Sequence, residues 1–494
     1  MSMLPQNNEF RITVLPLFAS GHIIPIIDIA RLFARHGATV TIIATESNAS
    51  IFQNNIDHDF AAGFKIQTHI VSFPGAEVGL APGIENYSDV SSRHLQAKIY
   101  QAFLILDKLI DQVIIPATRP DCILSDLSHP WTTDTAERLG VPRLVFSVSN
   151  FMAYSAEHSV MQHSPHQKVA SDTEEFEIPG LPHHIQMTKC QQPEFLLRRD
   201  RFTAMMESNK QAERRSYGTV MNTFYELDGV YLEHYKKITG IKAWGLGPVS
   251  LAVNKNLREK IERGNKSGME SEELVEWLNS KEPNSVLFVS FGSMTRFPPP
   301  QMAEIAHGLE DSGINFIWVI RNKDKNDSGE AAEGLPEGFQ QMIKNKNRGF
   351  IVRIWAPQLL ILEHPSTGGF LTHCGWNSSI EGISAGQPMV TWPVSSEQFY
   401  NEKLLTEVLQ VGVPVGARRW WNMSDEMKEI VSRENVEKGV GFLMGATEEA
   451  AAIRERAKQL GAAANRAVQS GGSSENNLIS LMKELRSIKV NDKD

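Results

Sequence analysis

The feature that most constrains the fold is an alternation of buried strands and amphipathic helices that occurs twice along the 494-residue chain. In the first half, residues 11–18 and 38–45 predict strands, and the segment between them has the apolar periodicity of a helix. A second series of the same kind begins at residues 285–293, SVLFVSFGS. Strands that alternate with helices form parallel sheets covered by helices, so the sequence predicts an α/β fold with two Rossmann-like domains.

The chain is too long for one hydrophobic core, and its composition changes near residue 254. Residues 254–274 are charged, contain glycines and lack apolar periodicity, which is typical of an interdomain linker. We therefore expect an N-terminal domain over residues 1–253, the linker over 254–274 and a second domain over 275–472. Residues 473–494 predict a further helix with three leucines on one side, Leu478, Leu481 and Leu485.

Composition excludes several classes of protein. The net charge is −9 and no dense stripe of Lys and Arg is present, which argues against a nucleic-acid partner. The three cysteines, Cys122, Cys190 and Cys374, are widely separated and odd in number, so we expect reduced thiols and a cytoplasmic location. No secretory signal and no run of 18 apolar residues is present, so we expect no stable insertion into a membrane.

Residues 355–398 hold the densest group of chemically useful side chains. Residues 370–373 predict a short strand, Gly375 permits a tight turn, and residues 377–379, Asn-Ser-Ser, predict the N-cap of a helix that runs to residue 385. The N-terminus of a helix carries unpaired N–H groups and a partial positive charge, which suit a phosphate. His373 adds a hydrogen-bond donor, and Glu381 can accept from sugar hydroxyls. The segment therefore predicts a nucleotide-sugar site.

Residues 355–398 resemble the signature segment of plant family 1 UDP-glycosyltransferases, with the tryptophan at its start and the Glu-Gln pair at its end. The resemblance implies the GT-B fold, in which two Rossmann-like domains face each other across a cleft. It also implies that Trp355 stacks on uracil and that Gln358 and Glu381 hold the ribose. The full donor-binding set that it implies is Ser293, Trp355, Ala356, Gln358, His373, Gly375, Trp376, Asn377, Ser378, Glu381, Glu397 and Gln398.

In this resemblance, His373, Asn377 and Ser378 contact the pyrophosphate, and Glu397 and Gln398 hold the sugar hydroxyls. Ser293 helps to offset charge on the departing diphosphate. The final helix has a counterpart in the family that returns to the N-terminal domain.

Two residues at predicted strand ends in the first half match the catalytic positions of the family: His22, after the first strand, and Asp126, at the end of another. An imidazole can take the proton of a weakly nucleophilic acceptor hydroxyl as it attacks. A carboxylate on the other ring nitrogen fixes the tautomer and stabilises the imidazolium. We therefore expect His22 to be the base and Asp126 its orienting partner. Attack from the face opposite UDP inverts the anomeric configuration from α to β.

The identities of sugar and acceptor are less constrained. Trp376 and Gln398 usually accompany UDP-glucose in the family, whereas Val394-Ser395-Ser396 departs from the usual residues and leaves galactose, xylose and glucuronic acid open. Apolar loops after first-domain strands suit a flat apolar aglycone. The segments GLPHHIQMT, YGTVMNTFYELD and WGLGPVSL resemble the plant branch of the family that glucosylates flavonoids, simple phenolics, and steroid or triterpenoid aglycones. This resemblance implies a triterpenoid or steroid acceptor first and a flavonoid or other phenolic next, as an aglycone or an existing glycoside. The predicted acceptor residues are Gly83, Ile84, Leu127, Asn150, Phe151 and Met187.

Three other motifs have some features of a metal site or a dinucleotide site. Residues 57–59, Asp-His-Asp, have the spacing of a metal site but predict a solvated loop. Residues 439–445 approximate a dinucleotide fingerprint without the preceding strand, and His183-His184 lacks a third ligand. We expect no metal and no cofactor beyond the UDP-sugar co-substrate, and a monomer. The alternatives are a UDP-sugar-binding protein without transferase activity and an oxidoreductase; the first strand lacks the G-x-G-x-x-G that the latter needs.

Overall fold

The computed structural model describes residues 9–90, 92–197, 201–264, 270–320, 334–353, 355–422 and 426–491. These residues form two fully parallel sheets and one short antiparallel hairpin. The strands are β1 (Phe10–Leu15), β2 (Ala38–Ala44), β3 (Ile66–Ile70), β4 (Cys122–Asp126), β5 (Arg143–Ser147), β6 (Glu175–Glu177), β7 (Gln186–Thr188), β8 (Gly218–Met221), β9 (Ala243–Gly245), β10 (Val286–Ser290), β11 (Asn315–Val319), β12 (Gly349–Val352), β13 (Thr367–Thr372), β14 (Met389–Thr391) and β15 (Gly412–Pro414).

Helices connect most of these strands and cover both faces of each sheet. The α-helices are α1 (Ser20–Arg35), α2 (Glu46–Ala49), α3 (Gln53–Ala61), α4 (Arg93–Leu109), α5 (Ile115–Thr118), α6 (Thr132–Leu139), α7 (Phe151–His163), α8 (Glu194–Leu197), α9 (Arg201–Arg215), α10 (Tyr225–Thr239), α11 (Val249–Val253), α12 (Leu257–Ile261), α13 (Glu270–Asn279), α14 (Pro299–Asp311), α15 (Phe339–Asn345), α16 (Gln358–Glu363), α17 (Trp376–Ser384), α18 (Gln398–Lys403), α19 (Arg433–Met444), α20 (Glu448–Ala467) and α21 (Ser473–Asn491). Among the described helices, none is long and apolar enough to span a membrane.

Both sheets change direction in their strand order at one place. The first sheet has the order β3-β2-β1-β4-β5-β8-β9, and the second has the order β12-β11-β10-β13-β14-β15. The central strands β4 and β10 are buried along their whole length because helices cover both faces of the sheet. In open parallel sheets, ligands bind beyond the carboxyl ends of the strands where the order reverses. These places are the ends of β1 and β4 in the first sheet, and of β10 and β13 in the second.

The helix α21 packs on the first sheet although it follows the second sheet in the chain. Leu478, Leu481 and Leu485 are fully buried in the same apolar core as β1 and β4. The side chain of Ser474 donates to the carbonyl of Gly247, and that of Asn477 donates to the carbonyl of Gly245 at 3.0 Å. The end of the chain is therefore attached to the N-terminal sheet by apolar burial and by hydrogen bonds to its last strand.

Two charged segments are more ordered than their composition indicates. Residues 57–59 lie in α3, and Asp59 is buried against Arg31 Nε at 2.6 Å and Arg35 at 2.7 Å. The prediction of a solvated loop there was wrong because two arginines of α1 neutralise the carboxylate. Within residues 254–274, α12 is capped by Asn256 and Glu259 in a reciprocal capping box. Residues 265–269 lie outside the described residues.

Candidate active site

The side chains of His22 and Asp126 form a hydrogen-bonded pair at the reversal point of the first sheet. His22 lies in the first turn of α1, directly after β1, and Asp126 is the last residue of β4. His22 Nδ1 lies 2.8 Å from Asp126 Oδ2, and the other carboxylate oxygen accepts from the backbone N–H of Ser128 at 2.9 Å. The His22 side chain is 27% exposed and that of Asp126 only 2%. When Nδ1 donates to Asp126, Nε2 keeps its lone pair for a proton.

The charges of the pair reinforce each other. Burial by itself lowers the pKa of His22, but the charge of Asp126 and the hydrogen bond to it outweigh burial and raise that pKa above its ordinary value. Burial by itself raises the pKa of Asp126, yet His22 and the N–H of Ser128 hold that pKa below its ordinary value. Asp126 is therefore ionised at neutral pH and stabilises an imidazolium at His22.

The helix that carries His22 is also hydrogen-bonded to the second domain. Pro25 lies inside α1 and has no N–H, so the carbonyl of Gly21, four residues earlier, lacks its helical donor. That carbonyl accepts instead from the side chain of Asn377 at 2.6 Å. The first turn of the catalytic helix is thus connected to α17, which opens at the reversal point of the second sheet.

A cavity of about 120 Å³ lies between α1 and the second sheet. It is lined from the first domain by Gly21 and Pro25, and from the second by the ends of β10 and β11 and the starts of α16 and α17. The predicted donor residues that line it are Ser293, Trp355, Ala356, Gln358, Asn377, Ser378 and Glu381. The structure therefore brings these seven together although they come from three separate segments of the chain.

Gln358 holds two of these residues in place. Its side-chain nitrogen donates to Glu381 Oε2 at 2.7 Å and to the Ser378 hydroxyl at 3.2 Å. Glu381 is buried, so a carboxylate there needs such partners. Its remaining oxygen, Oε1, accepts from Arg263 at 2.6 Å. The carboxylate thus has one oxygen bound within its own domain and the other bound by the segment between the domains.

The start of α17 differs from the prediction. The helix begins at Trp376 with Gly375 as its N-cap, and no side chain caps it. Residues 377–379 lie inside the first turn, where the Ser379 hydroxyl donates to the carbonyl of Gly375. The predicted Asn-Ser-Ser N-cap was wrong because the chain turns one residue earlier. The N–H of Trp376 bonds the Glu397 carboxylate. The N–H groups of Asn377 and Ser378 have no side-chain partner among the described residues, which suits an anion.

The ring of His373 lies between two glycines next to this turn. A Cβ atom on Gly292 or Gly375 would stand 2.5 or 2.4 Å from its Nε2, so neither position accommodates a larger residue without movement. Nδ1 of His373 is buried and has no partner in the described part of the chain. Burial lowers the pKa of His373 to about 4. His373 is therefore neutral at pH 7.

Five predicted donor residues do not line this cavity: His373, Gly375, Trp376, Glu397 and Gln398. Trp376 is buried and donates from Nε1 to the carbonyl of Asn222 in the first domain at 2.8 Å. Gln398 Oε1 accepts from the backbone N–H groups of Val394 and Ser395 at 2.9 and 2.8 Å. Burial raises the pKa of Glu397, which also interacts electrostatically with His22. Glu397 is therefore close enough to His22 for their charges to interact.

The predicted acceptor residues are distributed between surface and core. Gly83 is exposed and Ile84 is partly buried in the loop before α4, and Leu127 is partly buried after β4. Phe151 and Met187 are buried in the apolar core. Asn150 is also buried; it caps α7 and donates to Asn401 at 2.6 Å. None of the six lines the cavity between α1 and the second sheet.

The motifs set aside in the sequence have ordinary partners. His183 contacts the Tyr231 hydroxyl at 3.1 Å and His184 contacts Glu177 at 2.7 Å. Residues 439–445 form the end of α19 and the position after it. Among the described residues, one group brings potential metal ligands within 4.8 Å of one another: His58, Asp59 and Glu259. Both of its carboxylates are already paired with arginines of α1.

Residues of the interdomain segment also line the cavity, which the sequence did not predict. Lys260 and Arg263 line the cavity, and Gly264 packs directly on the ring of Trp355. The α1 residues Gly21 and Pro25 line it too. The charged composition of residues 254–274 gave no signal for this placement, because it depends on contacts with distant parts of the chain.

Comparison with known proteins extends over the whole chain. The sequence profile described as "UDP-glucoronosyl and UDP-glucosyl transferase" matches residues 12–425. Soyasapogenol B glucuronide galactosyltransferase of Glycine max is 46% identical over 489 residues, which cover 99% of this chain and 98% of that protein. UDP-glucose flavonoid 3-O-glucosyltransferase 7 of Fragaria ananassa is 43% identical over 486 residues and 97% of each chain.

A solved structure gives the same result for the fold. The crystal structure of Glycyrrhiza uralensis UGT73P12 complexed with glycyrrhetinic acid 3-O-monoglucuronide superimposes with a TM-score of 0.92. It is 45% identical and covers 98% of this chain and 97% of its own. The predicted fold class, two Rossmann-like domains in the GT-B arrangement, is confirmed.

Proposed function

This chain belongs to the UDP-glucoronosyl and UDP-glucosyl transferase family, and on that premise we propose that it transfers glucose from UDP-glucose to a hydroxyl of a triterpenoid or steroid. The resemblance of residues 355–398 to this family is thereby confirmed. The chain is a UDP-glycosyltransferase of a metal-independent, inverting type. The specific sugar, the acceptor and the residue roles below are our proposal.

The observation that most supports the proposed mechanism is the hydrogen bond between His22 and Asp126. With Nδ1 donating to Asp126, His22 Nε2 can take the proton of an acceptor hydroxyl as its oxygen attacks the anomeric carbon. The carboxylate stabilises the imidazolium that forms. The bond from the anomeric carbon to the diphosphate oxygen breaks on the opposite face, so the product is a β-glycoside and UDP.

The donor site is proposed to follow the cavity between α1 and α17. Trp355 would stack on uracil, Glu381 and Gln358 would hold the ribose, and the first turn of α17 would hold the pyrophosphate. The buried Nδ1 of His373, which has no partner in the described part of the chain, fits a diphosphate oxygen as acceptor. A neutral donor and unpaired backbone N–H groups stabilise the departing UDP without a buried positive charge on the histidine.

The sugar end is proposed to lie at Glu397 and Gln398. Because two backbone N–H groups hold Gln398 Oε1, its amide nitrogen is the group left for a sugar hydroxyl. An amide in this position is the feature that favours glucose in the sequence. Galactose is the second candidate, since a relative of 46% identity is named a galactosyltransferase. Epimers differ at one hydroxyl, so discrimination of about 1–3 kcal/mol is expected.

The acceptor is proposed to be a triterpenoid or steroid, as the aglycone or as a glycoside, with a flavonoid next. The Glycine max relative is named for soyasapogenol B glucuronide, and the Glycyrrhiza structure contains a glycyrrhetinic acid monoglucuronide. These two names favour extension of an existing glucuronide as the second candidate reaction. The Fragaria relative is named for flavonoids, which keeps a phenolic acceptor in the test.

We further propose that the enzyme works as a cytoplasmic monomer that needs only its UDP-sugar co-substrate. All three cysteines are buried and unpaired, which is typical of a reducing compartment. Size-exclusion chromatography with light scattering tests the monomer, and activity after exhaustive chelation tests the independence from metal.

The test of function is product analysis by mass spectrometry. The full chain is incubated with UDP-glucose or UDP-galactose and with a triterpenoid, its monoglucuronide and a flavonoid, beside His22→Ala. Gain of one hexose on a triterpenoid substrate, absent with His22→Ala, supports the proposal. Transfer only to the flavonoid, or equal product from the variant, contradicts the acceptor or the catalytic assignment respectively.

A further inference from the structure

The segment between the domains lies across the proposed nucleoside end of the donor cavity. We define residues 257–264 as the linker strap. Arg263 Nε donates to Asp28 of α1 at 2.8 Å, and the same guanidinium donates to Glu381 of α17 at 2.6 Å. All three side chains are at least nine-tenths buried. One cation thus joins the helix of the catalytic base to the carboxylate proposed to hold the ribose.

The next residue of the strap covers Trp355. A Cβ atom on Gly264 would stand 2.2 Å from the indole ring, so the glycine backbone lies in direct contact with the ring. The Gly264 φ is +98°, and the Trp355 Nε1 donates to the carbonyl of Arg263 at 3.2 Å. The ring proposed to stack on uracil is therefore in contact with protein backbone.

The cavity is small, as expected if Arg263 and Gly264 occupy part of the donor site. Its volume is about 120 Å³. Pockets that enclose small molecules are typically about 300–1,000 Å³. A uridine nucleotide cannot enter while the strap keeps this position.

We infer that Arg263 and Gly264 occupy the ribose and uracil positions of the donor site, and that a uridine nucleotide binds by replacing them at Glu381 and Trp355. This inference rests on the proposed donor site. Arg263 is then a residue that sets the affinity for the donor rather than a catalytic residue. The strap competes with the nucleoside, so it weakens binding and accelerates release of UDP.

Both carboxylates bonded to Arg263 keep other partners after its release. Asp28 keeps the side-chain amide of Asn254 at 3.2 Å and the charge of Arg31 at 3.6 Å. Glu381 keeps Gln358 and gains the ribose hydroxyls. The strap itself remains attached through Glu259 to Arg31 and Arg35, and through the ion pair of Lys260 with Glu363. Only its last residues have to move.

The test uses uridine because it carries no phosphate. Removal of the Arg263 charge then changes only the competition between the strap and the nucleoside, and not an attraction to the diphosphate. Arg263→Ala and Gly264→Ala are compared with wild type by NMR titration of the full chain with uridine. Arg263→Ala should bind uridine about 10-fold more tightly, since it removes a charge-assisted competitor from Glu381. Gly264→Ala should also tighten binding, because its Cβ cannot fit on Trp355 and displaces the strap without any change of charge.

Matched controls separate this effect from general destabilisation. Arg258→Ala removes an exposed arginine of the same strap, which is paired with Glu262. Gly63→Ala has a similar φ of +92° with open space around the new Cβ. Both controls should bind uridine as wild type does. Arg263→Lys should fall between wild type and Arg263→Ala, and the KM for UDP-sugar should fall in Arg263→Ala without a rise in kcat.

The failure of this inference is distinguishable from failure of the proposed function. If wild type binds UDP and neither variant binds uridine more tightly, the strap does not compete and the inference is wrong. Weaker uridine binding by Arg263→Ala would make Arg263 a ligand of the donor and would also overturn it. If no form of the protein binds uridine or UDP, the donor site itself is wrong.

Discussion

The proposed catalytic pair and the proposed donor cavity differ in whether their side chains are already free to act. His22 and Asp126 already have the spacing of a base and its orienting carboxylate, 2.8 Å, at the ends of adjacent strands. In the donor cavity, by contrast, Glu381 and Trp355 are in contact with Arg263 and Gly264. The sheet holds the pair in the geometry for proton transfer, whereas in our proposal the contact of the linker strap with Glu381 and Trp355 has to be released before the nucleotide binds. The difference teaches that chemistry and donor affinity can be changed separately.

Removal of the base should have the largest effect and should leave the donor half intact. We expect His22→Ala to lower kcat by about 10²- to 10⁴-fold, because general base catalysis contributes about that much. UDP binding, measured by calorimetry, should change little. His69→Ala, at an exposed position of β3, is the control. A variant with wild-type turnover would remove His22 from the mechanism.

Neutralising the orienting carboxylate should come next. We expect Asp126→Asn to lower kcat by about 10²-fold, because the imidazolium loses its counter-charge. His22 must be neutral to act as a base, so wild-type activity should fall as the pH drops through its raised pKa. In Asp126→Asn, burial remains and lowers that pKa, so the acid limb of the pH–rate profile should move to lower pH. An unchanged or upward-shifted limb would contradict the pairing.

Loss of the Trp355 ring should weaken donor binding and leave the catalytic step unchanged. We expect Trp355→Ala to weaken UDP binding by about 5- to 100-fold, since stacking of a base on an aromatic ring is worth about 1–3 kcal/mol. The pH–rate profile at saturating donor should be unchanged. Trp277→Ala, which removes a tryptophan of α13, is the control. Wild-type affinity in Trp355→Ala would show that uracil binds elsewhere.

The smallest expected effect concerns the hydrogen bond between Gly21 of α1 and Asn377 of α17. Pro25→Ala restores an N–H that can bond the Gly21 carbonyl within α1, in competition with Asn377. We expect a higher melting temperature and a KM for the donor raised about 2- to 5-fold, within the 0.5–1.5 kcal/mol of one hydrogen bond. Pro116→Ala at the start of α5 should leave KM unchanged. Equal KM values in both variants would show that the Gly21–Asn377 bond does not affect donor binding.

Local pattern was enough to predict the fold class, and together with the family resemblance it singled out two residues at strand ends. His22 and Asp126 follow buried strands, and parallel strands bring their carboxyl ends to one edge. Trp355, Gln358 and Glu381 lie within one continuous segment, so their proximity follows from the strand, turn and helix that they occupy. The geometry of these positions is largely fixed by secondary structure.

Contacts between distant segments were not predictable in the same way. Arg263 reaches Asp28 across 235 residues and Glu381 across 118, and no local pattern encodes either pairing. Asp59 was expected in solvent because its partners, Arg31 and Arg35, belong to another helix. The N-cap of α17 was misplaced by the choice between Gly375 and the polar residues after it. In each case the position of the residue depends on a tertiary contact or a backbone turn that local composition does not determine.

The most direct test of the contrast between the two regions is hydrogen–deuterium exchange of the full chain with and without saturating UDP. We expect the amides of residues 262–264, at the end of the strap, to exchange faster with UDP because these residues leave Trp355 and Glu381. Amides of β4, which ends at Asp126, should exchange at the same rate in both conditions. Slower exchange of residues 262–264 with UDP would mean that the strap closes on the nucleotide instead of giving way to it, and would contradict the proposed difference between a prepared catalytic pair and an occupied donor site.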